Sequence, residues 1–88
     1  MSAKEMFEEL GYVYSKDEEG IYYLKYFIET NCYMKIEFIS ELKDIFIYLE
    51  NNASNVYTSI CLHELKAINK QVEELGWVDS MLRTKEEE

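Results

Sequence analysis

The side chains able to act as base, nucleophile or metal ligand are His63, Cys32, Cys61 and a large set of carboxylates, and their spacing assembles no catalytic group. His63 stands alone at the start of a helical pattern, where a histidine is ordinarily a surface residue. A metal at that position would need further ligands close by, and only Cys61, Glu64 and distant carboxylates are on offer. Cys32 alternates with Met34, Ile36 and Phe38 as a core residue does, and neither cysteine has an evident basic neighbour to activate it. Gly11, Gly20 and Gly76 are too scattered to form a phosphate-cradling loop. The expectation is a protein that is not an enzyme and that uses no cofactor or metal.

What remains is a binding chemistry of acids and tyrosines. Eighteen acidic residues face nine basic ones on 88 residues, giving a net charge of −9, and the chain has eight tyrosines and no proline. Such a field repels nucleic-acid backbones and bare anionic membranes and favours basic protein surfaces. The acids gather at turns and ends: Asp17, Glu18 and Glu19; Glu41 and Asp44; Glu8 and Glu9; Glu73, Glu74 and the final Glu86, Glu87 and Glu88. Two readings stand side by side. The carboxylates either mimic a phosphate row and occupy a basic groove, or serve as ordinary solubilising charge.

A chain of 10.5 kDa is a single domain that buries only about 60% of its unfolded surface. Its 48% hydrophobic and 15% aromatic content is too rich in core formers for a disordered chain. Two distant cysteines make no disulfide framework, which points to a reduced setting. With no apolar run long enough for a signal peptide or membrane span, the expected location is the cytoplasm.

The elements that must position these groups are readable in outline. Ser2 with Glu5 forms a capping box, and Ala3, Met6, Phe7 and Leu10 share one helical face, so a helix is expected over 3–10. Gly11 ends it in a left-handed conformation, with Tyr12 folding back over the last turn. Glu73-Glu74-Leu75-Gly76-Trp77 repeats the Glu8-Glu9-Leu10-Gly11-Tyr12 pattern, so a second helix, beginning near Leu62, should stop in the same way. Its expected core stripe is Leu62, Leu65, Ile68, Val72 and Leu75, with Glu64, Lys66, Lys70, Glu73 and Glu74 outward. Between the helices the period is two. Strands are expected at 12–14, 21–28, 32–39, 45–50 and 56–60, separated by polar turns. The fold class is α+β: helix, four- to five-stranded antiparallel meander, helix, with both helices on one sheet face. The domain spans 1–78, and 79–88 is a polar acidic tail.

If the helices cover Leu24, Met34, Ile36, Phe38, Ile47 and Ile60, the opposite face collects Tyr23, Lys25, Phe27, Tyr33, Lys35, Phe46, Tyr48 and Tyr57. Tyrosine gives large contact area at small entropic cost, which suits an interface, and it is also a good half-wet strand residue. The expected partner-binding residues are Tyr23, Tyr33, Tyr48 and Tyr57 on the sheet, with Asp17, Glu18 and Glu19 on the acidic rim. An RNA-stacking platform would need more bases than Lys25 and Lys35 to hold phosphates.

The segments 3–12 and 65–77, with their paired Glu-Glu-Leu-Gly-aromatic endings, resemble small uncharacterised accessory proteins encoded by phages and prophages of low-GC Gram-positive bacteria. The resemblance covers both ends of the chain and not its middle, and the family has no assigned site residues to carry over. It implies a compact acidic protein that binds a host factor, with anti-CRISPR inhibitors of defence nucleases as one such class. The expected partner is therefore a host protein with a basic surface, engaged without direct contact to nucleic acid or membrane. The alternative is a self-associating accessory protein that pairs through its open sheet face.

Overall fold

The computed structural model describes residues 1–50 and 59–77. Its order is helix α1 (Ala3–Glu9), strands β1 (Val13–Lys16), β2 (Gly20–Phe27), β3 (Cys32–Ile39) and β4 (Asp44–Glu50), then helix α2 (Leu62–Leu75). The strands form an antiparallel sheet in the order β1-β2-β3-β4. The expected fifth strand and Tyr57 fall mostly outside the described residues, and Ser59 and Ile60 belong to no strand. The expected tail also lies outside them.

Local chemistry sets the helix ends. Ser2 Oγ accepts from the Glu5 amide at 3.1 Å while Glu5 Oε1 accepts from the Ser2 amide at 2.8 Å, so the capping box is closed. At the other end of α1 the Gly11 amide donates to Glu8 O and the Tyr12 amide to Phe7 O, both at 3.0 Å. Gly76 and Trp77 donate in the same way to Glu73 O and Val72 O, with Gly76 at φ +74°. Both helices end in a Schellman motif, for which a glycine is the low-cost left-handed residue.

Both helices lie on one face of the sheet, where Phe7, Tyr12, Tyr23, Ile36, Phe38, Ala67 and Ile68 form the core. Phe7 stacks on Tyr23 with ring centroids 3.9 Å apart, and Tyr12 and Phe38 meet Phe7 edge-on. Trp77 lies 6.2 Å from Phe38, so the residue that closes α2 also packs on β3. The helices run antiparallel, and Glu74 of α2 accepts from the Ala3 amide at 2.9 Å. A carboxylate at the end of α2, unfavourable to its own macrodipole, thus sits at the favourable N-terminus of α1.

The core stripe of α2 is rotated from the expected one. Glu64, Ala67, Ile68 and Gln71 are buried, whereas Leu62 is 61% and Leu65 42% exposed. The cause is the two core tyrosines, whose hydroxyls need acceptors once out of water. Tyr12 donates to Glu64 Oε2 and Tyr23 to Gln71 Oε1, each at 2.5 Å. Burial, together with the Glu64 carboxylate, pushes the Tyr12 hydroxyl well above its ordinary range.

Candidate aromatic and acidic interface

The sheet register decides which tyrosines are available to a partner. Tyr23 pairs with Ile36, and Tyr22 with Glu37. Ile21, Tyr23, Lys25 and Phe27 therefore share the helix-covered face with Met34, Ile36 and Phe38, and the expectation for β2 is reversed. Tyr23 has no exposed surface and cannot touch a partner. Lys25 is turned the same way and lies over the Tyr12 and Phe27 rings at 5.6 and 5.5 Å. Leu24, expected in the core, faces the open side. In its place the register supplies Tyr22 and Tyr26, which the sequence reading did not single out.

The open face thus presents Val13 from β1, Tyr22, Leu24 and Tyr26 from β2, Tyr33, Lys35, Glu37 and Ile39 from β3, and Phe46, Tyr48 and Glu50 from β4. Tyr33 and Tyr48 are where the sequence placed them. Tyr26 is 70% exposed and tilts against Tyr33 with centroids 5.5 Å apart. Phe46 and Tyr48 lie near-parallel with centroids 6.2 Å apart. A hydrogen bond to Glu50 raises the Tyr33 hydroxyl above its ordinary pKa, because ionisation would put a second anion beside the carboxylate.

The meander brings together acids that are separate in sequence. Gly20 pairs with Ile39, which pairs with Asp44, so the turn before β2 and the turn before β4 lie at one end of the sheet. The Ser40 amide donates to Glu19 O at 2.9 Å and ties the two turns directly. Asp17, Glu18, Glu19, Glu41 and Asp44, all exposed, are gathered at that end, where Glu18, Glu19 and Glu41 line an open cleft with Ile39, Ser40 and Leu42. The β1–β2 turn is held by Asp17, whose Oδ1 accepts from the Glu19 and Gly20 amides at 2.9 and 3.1 Å. This Asx geometry fixes the acidic pole relative to the sheet.

Glu37 joins the pole to the aromatic face. It is only 8% exposed, lies between Tyr22 and Phe46 on the ladder, and has Tyr48 Oη at 3.5 Å and Lys35 Nζ at 3.9 Å. Asp17, Glu19 and Glu37 each bring a carboxylate oxygen within 4.8 Å of the others, a spacing that could hold a hard divalent cation. Lys35 Nζ sits 4.5 Å from the centre of the Tyr22 ring, so the face already holds one cation on an aromatic surface.

His63, Cys61 and Glu64 do not converge as a ligand set, because Glu64 is engaged by the core and by the start of α2. Glu64 is buried against Tyr12 and accepts from the Cys61 amide at 2.8 Å, while His63 and Cys61 are exposed. No helix among the described residues is long and apolar enough to cross a membrane. Comparison with protein-family models, with curated proteins and with solved structures finds no match.

Proposed function

We propose that this chain is a protein-interaction module that binds a basic protein surface through its open sheet face and the acidic pole beside it. One observation carries the reading: the meander places two acidic turns at the same end of an aromatic face that neither helix covers. Aromatic rings supply contact area at low entropic cost, and a one-signed pole steers an oppositely charged partner and fixes its orientation. The role proposed for it is inhibitory. An acidic pole that takes the place of phosphates on a nucleic-acid-handling or defence protein would act as small phage-encoded inhibitors, including anti-CRISPR proteins, act on host factors. Acidity and the exposed aromatic face support this reading, and the resemblance of the two terminal segments supplies its context.

The test is capture from bacterial lysate with wild type and with an Asp17→Lys, Glu18→Lys, Glu19→Lys variant. Basic nucleic-acid-handling proteins should be retained by wild type, released by raising the salt, and lost with the variant. Retention that charge reversal leaves intact would sink the electrostatic part of the proposal. Self-association through the same face would bring net charge −9 against −9. Sedimentation of wild type as a monomer removes that alternative.

A further inference from the structure

We infer that the position framed by Tyr22, Glu37 and the acidic turn receives an arginine side chain of the partner. This rests on the interaction reading above and specifies the chemistry of the contact. Glu37 is a carboxylate nine-tenths buried on a protein surface, yet its side-chain contacts among the described residues are long, 3.5 Å to Tyr48 and 3.9 Å to Lys35. Charge-assisted bonds run to about 2.7–2.9 Å, so the buried anion has capacity left for a cation. Asp17 and Glu19, within 4.8 Å of it, deepen the same negative potential from the solvent side.

Lys35 shows what the position accepts and why it does not fill it. Its ammonium rests over the Tyr22 ring at 4.5 Å and, from two positions along β3, stays 3.9 Å from Glu37, so in this arrangement it does not join the ring contact to a short bond with the carboxylate. A guanidinium can. It is planar, stacks on an aromatic face, donates two parallel hydrogen bonds to one carboxylate and is more weakly hydrated than an ammonium. Entering from solvent past Asp17 and Glu19, it would lie on Tyr22 or Phe46 and donate to Glu37, displacing Lys35. Lysine from the partner would gain the long-range attraction of the pole and little of the stacking.

The experiment titrates the full chain, labelled with nitrogen-15, with two synthetic peptides of equal length and charge, Gly-Arg-Gly-Arg-Gly-Arg-Gly and its lysine counterpart, both blocked at their ends. The arginine peptide should bind at least about tenfold tighter, a ratio equivalent to 1.4 kcal/mol, with amide shifts centred on Tyr22, Glu37 and Tyr48. Glu37→Gln, which keeps the shape of the side chain, should remove the preference, and Tyr22→Leu should reduce it. Unchanged amide spectra away from the face verify that both variants fold. Equal binding of the two peptides overturns the arginine assignment and leaves the basic-surface reading standing. Failure of both peptides to bind at low salt overturns both. Displacement of the arginine peptide by millimolar calcium, lost in Glu37→Gln, would reassign the position to a metal and also overturn the inference.

Discussion

Glu64 and Gln71 occupy core positions of α2 because two tyrosine hydroxyls point at them, and no apolar residue could serve there. Tyr12→Phe should therefore destabilise the fold by about 1–3 kcal/mol, since it leaves one oxygen of a buried carboxylate without its donor. Thermal unfolding followed by circular dichroism would show a drop of roughly 4–8 °C per kcal/mol for a domain of this size. An unchanged midpoint would mean the bond contributes nothing. Gly20 tests a different constraint. A Cβ at this residue would lie 2.0 Å from the Phe38 carbonyl oxygen, so Gly20→Ala must part β2 from β3 at the acidic end and should shift the amide signals of 17–20 and 38–40. The sequence showed Gly20 as the end of a turn, but the close approach of β3 that requires a residue without a side chain depends on a pairing 18 and more positions away.

At the scale of elements, β3 was legible because Cys32, Met34, Ile36 and Phe38 alternate with Tyr33, Lys35 and Glu37, and the capping box and both glycine endings of the helices were legible because they are written in four or five adjacent residues. β2 was not. Ile21, Tyr22, Tyr23 and Leu24 are all good strand residues, so period two is present on either face, and only pairing with β3 and stacking on Phe7 select the odd-numbered set. The stripe of α2 misled for the converse reason: the residues it buries include Glu64 and Gln71, which a hydrophobic pattern excludes. The two faces of β2 give a direct test. Tyr23→Glu places a charge against Phe7 and should unfold the protein, whereas Tyr26→Glu should leave stability within about 0.5 kcal/mol while weakening partner capture. Equal effects of the two substitutions on thermal unfolding would contradict the register.

For the whole molecule, charge and burial set the response to salt and pH. Net charge −9 with a concentrated acidic pole disfavours the compact state, so raising salt from low to physiological strength should raise the unfolding midpoint. The buried hydroxyls act at the alkaline end. Burial raises Tyr23 above its ordinary value of 10.0, with the charges of Tyr14, Glu74 and Glu8 adding to it, and Tyr12 is raised in the same direction. Groups whose pKa is higher folded than unfolded give stability that is complete below the unfolded value and lost as pH rises past it. The unfolding midpoint should accordingly fall above about pH 10, and tyrosinate absorbance from these two residues should appear only as the fold is lost. A midpoint that stays level through that range would contradict the burial of both hydroxyls. The acceptor that Glu74 offers to the Ala3 amide spans 71 positions of chain. The whole sheet lies between the two helices in the chain, so during synthesis Phe7 and Tyr23 are made well before the α2 residues that cover them. The core of this domain therefore closes only once α2 exists, and its folding depends on contacts between segments far apart in the chain.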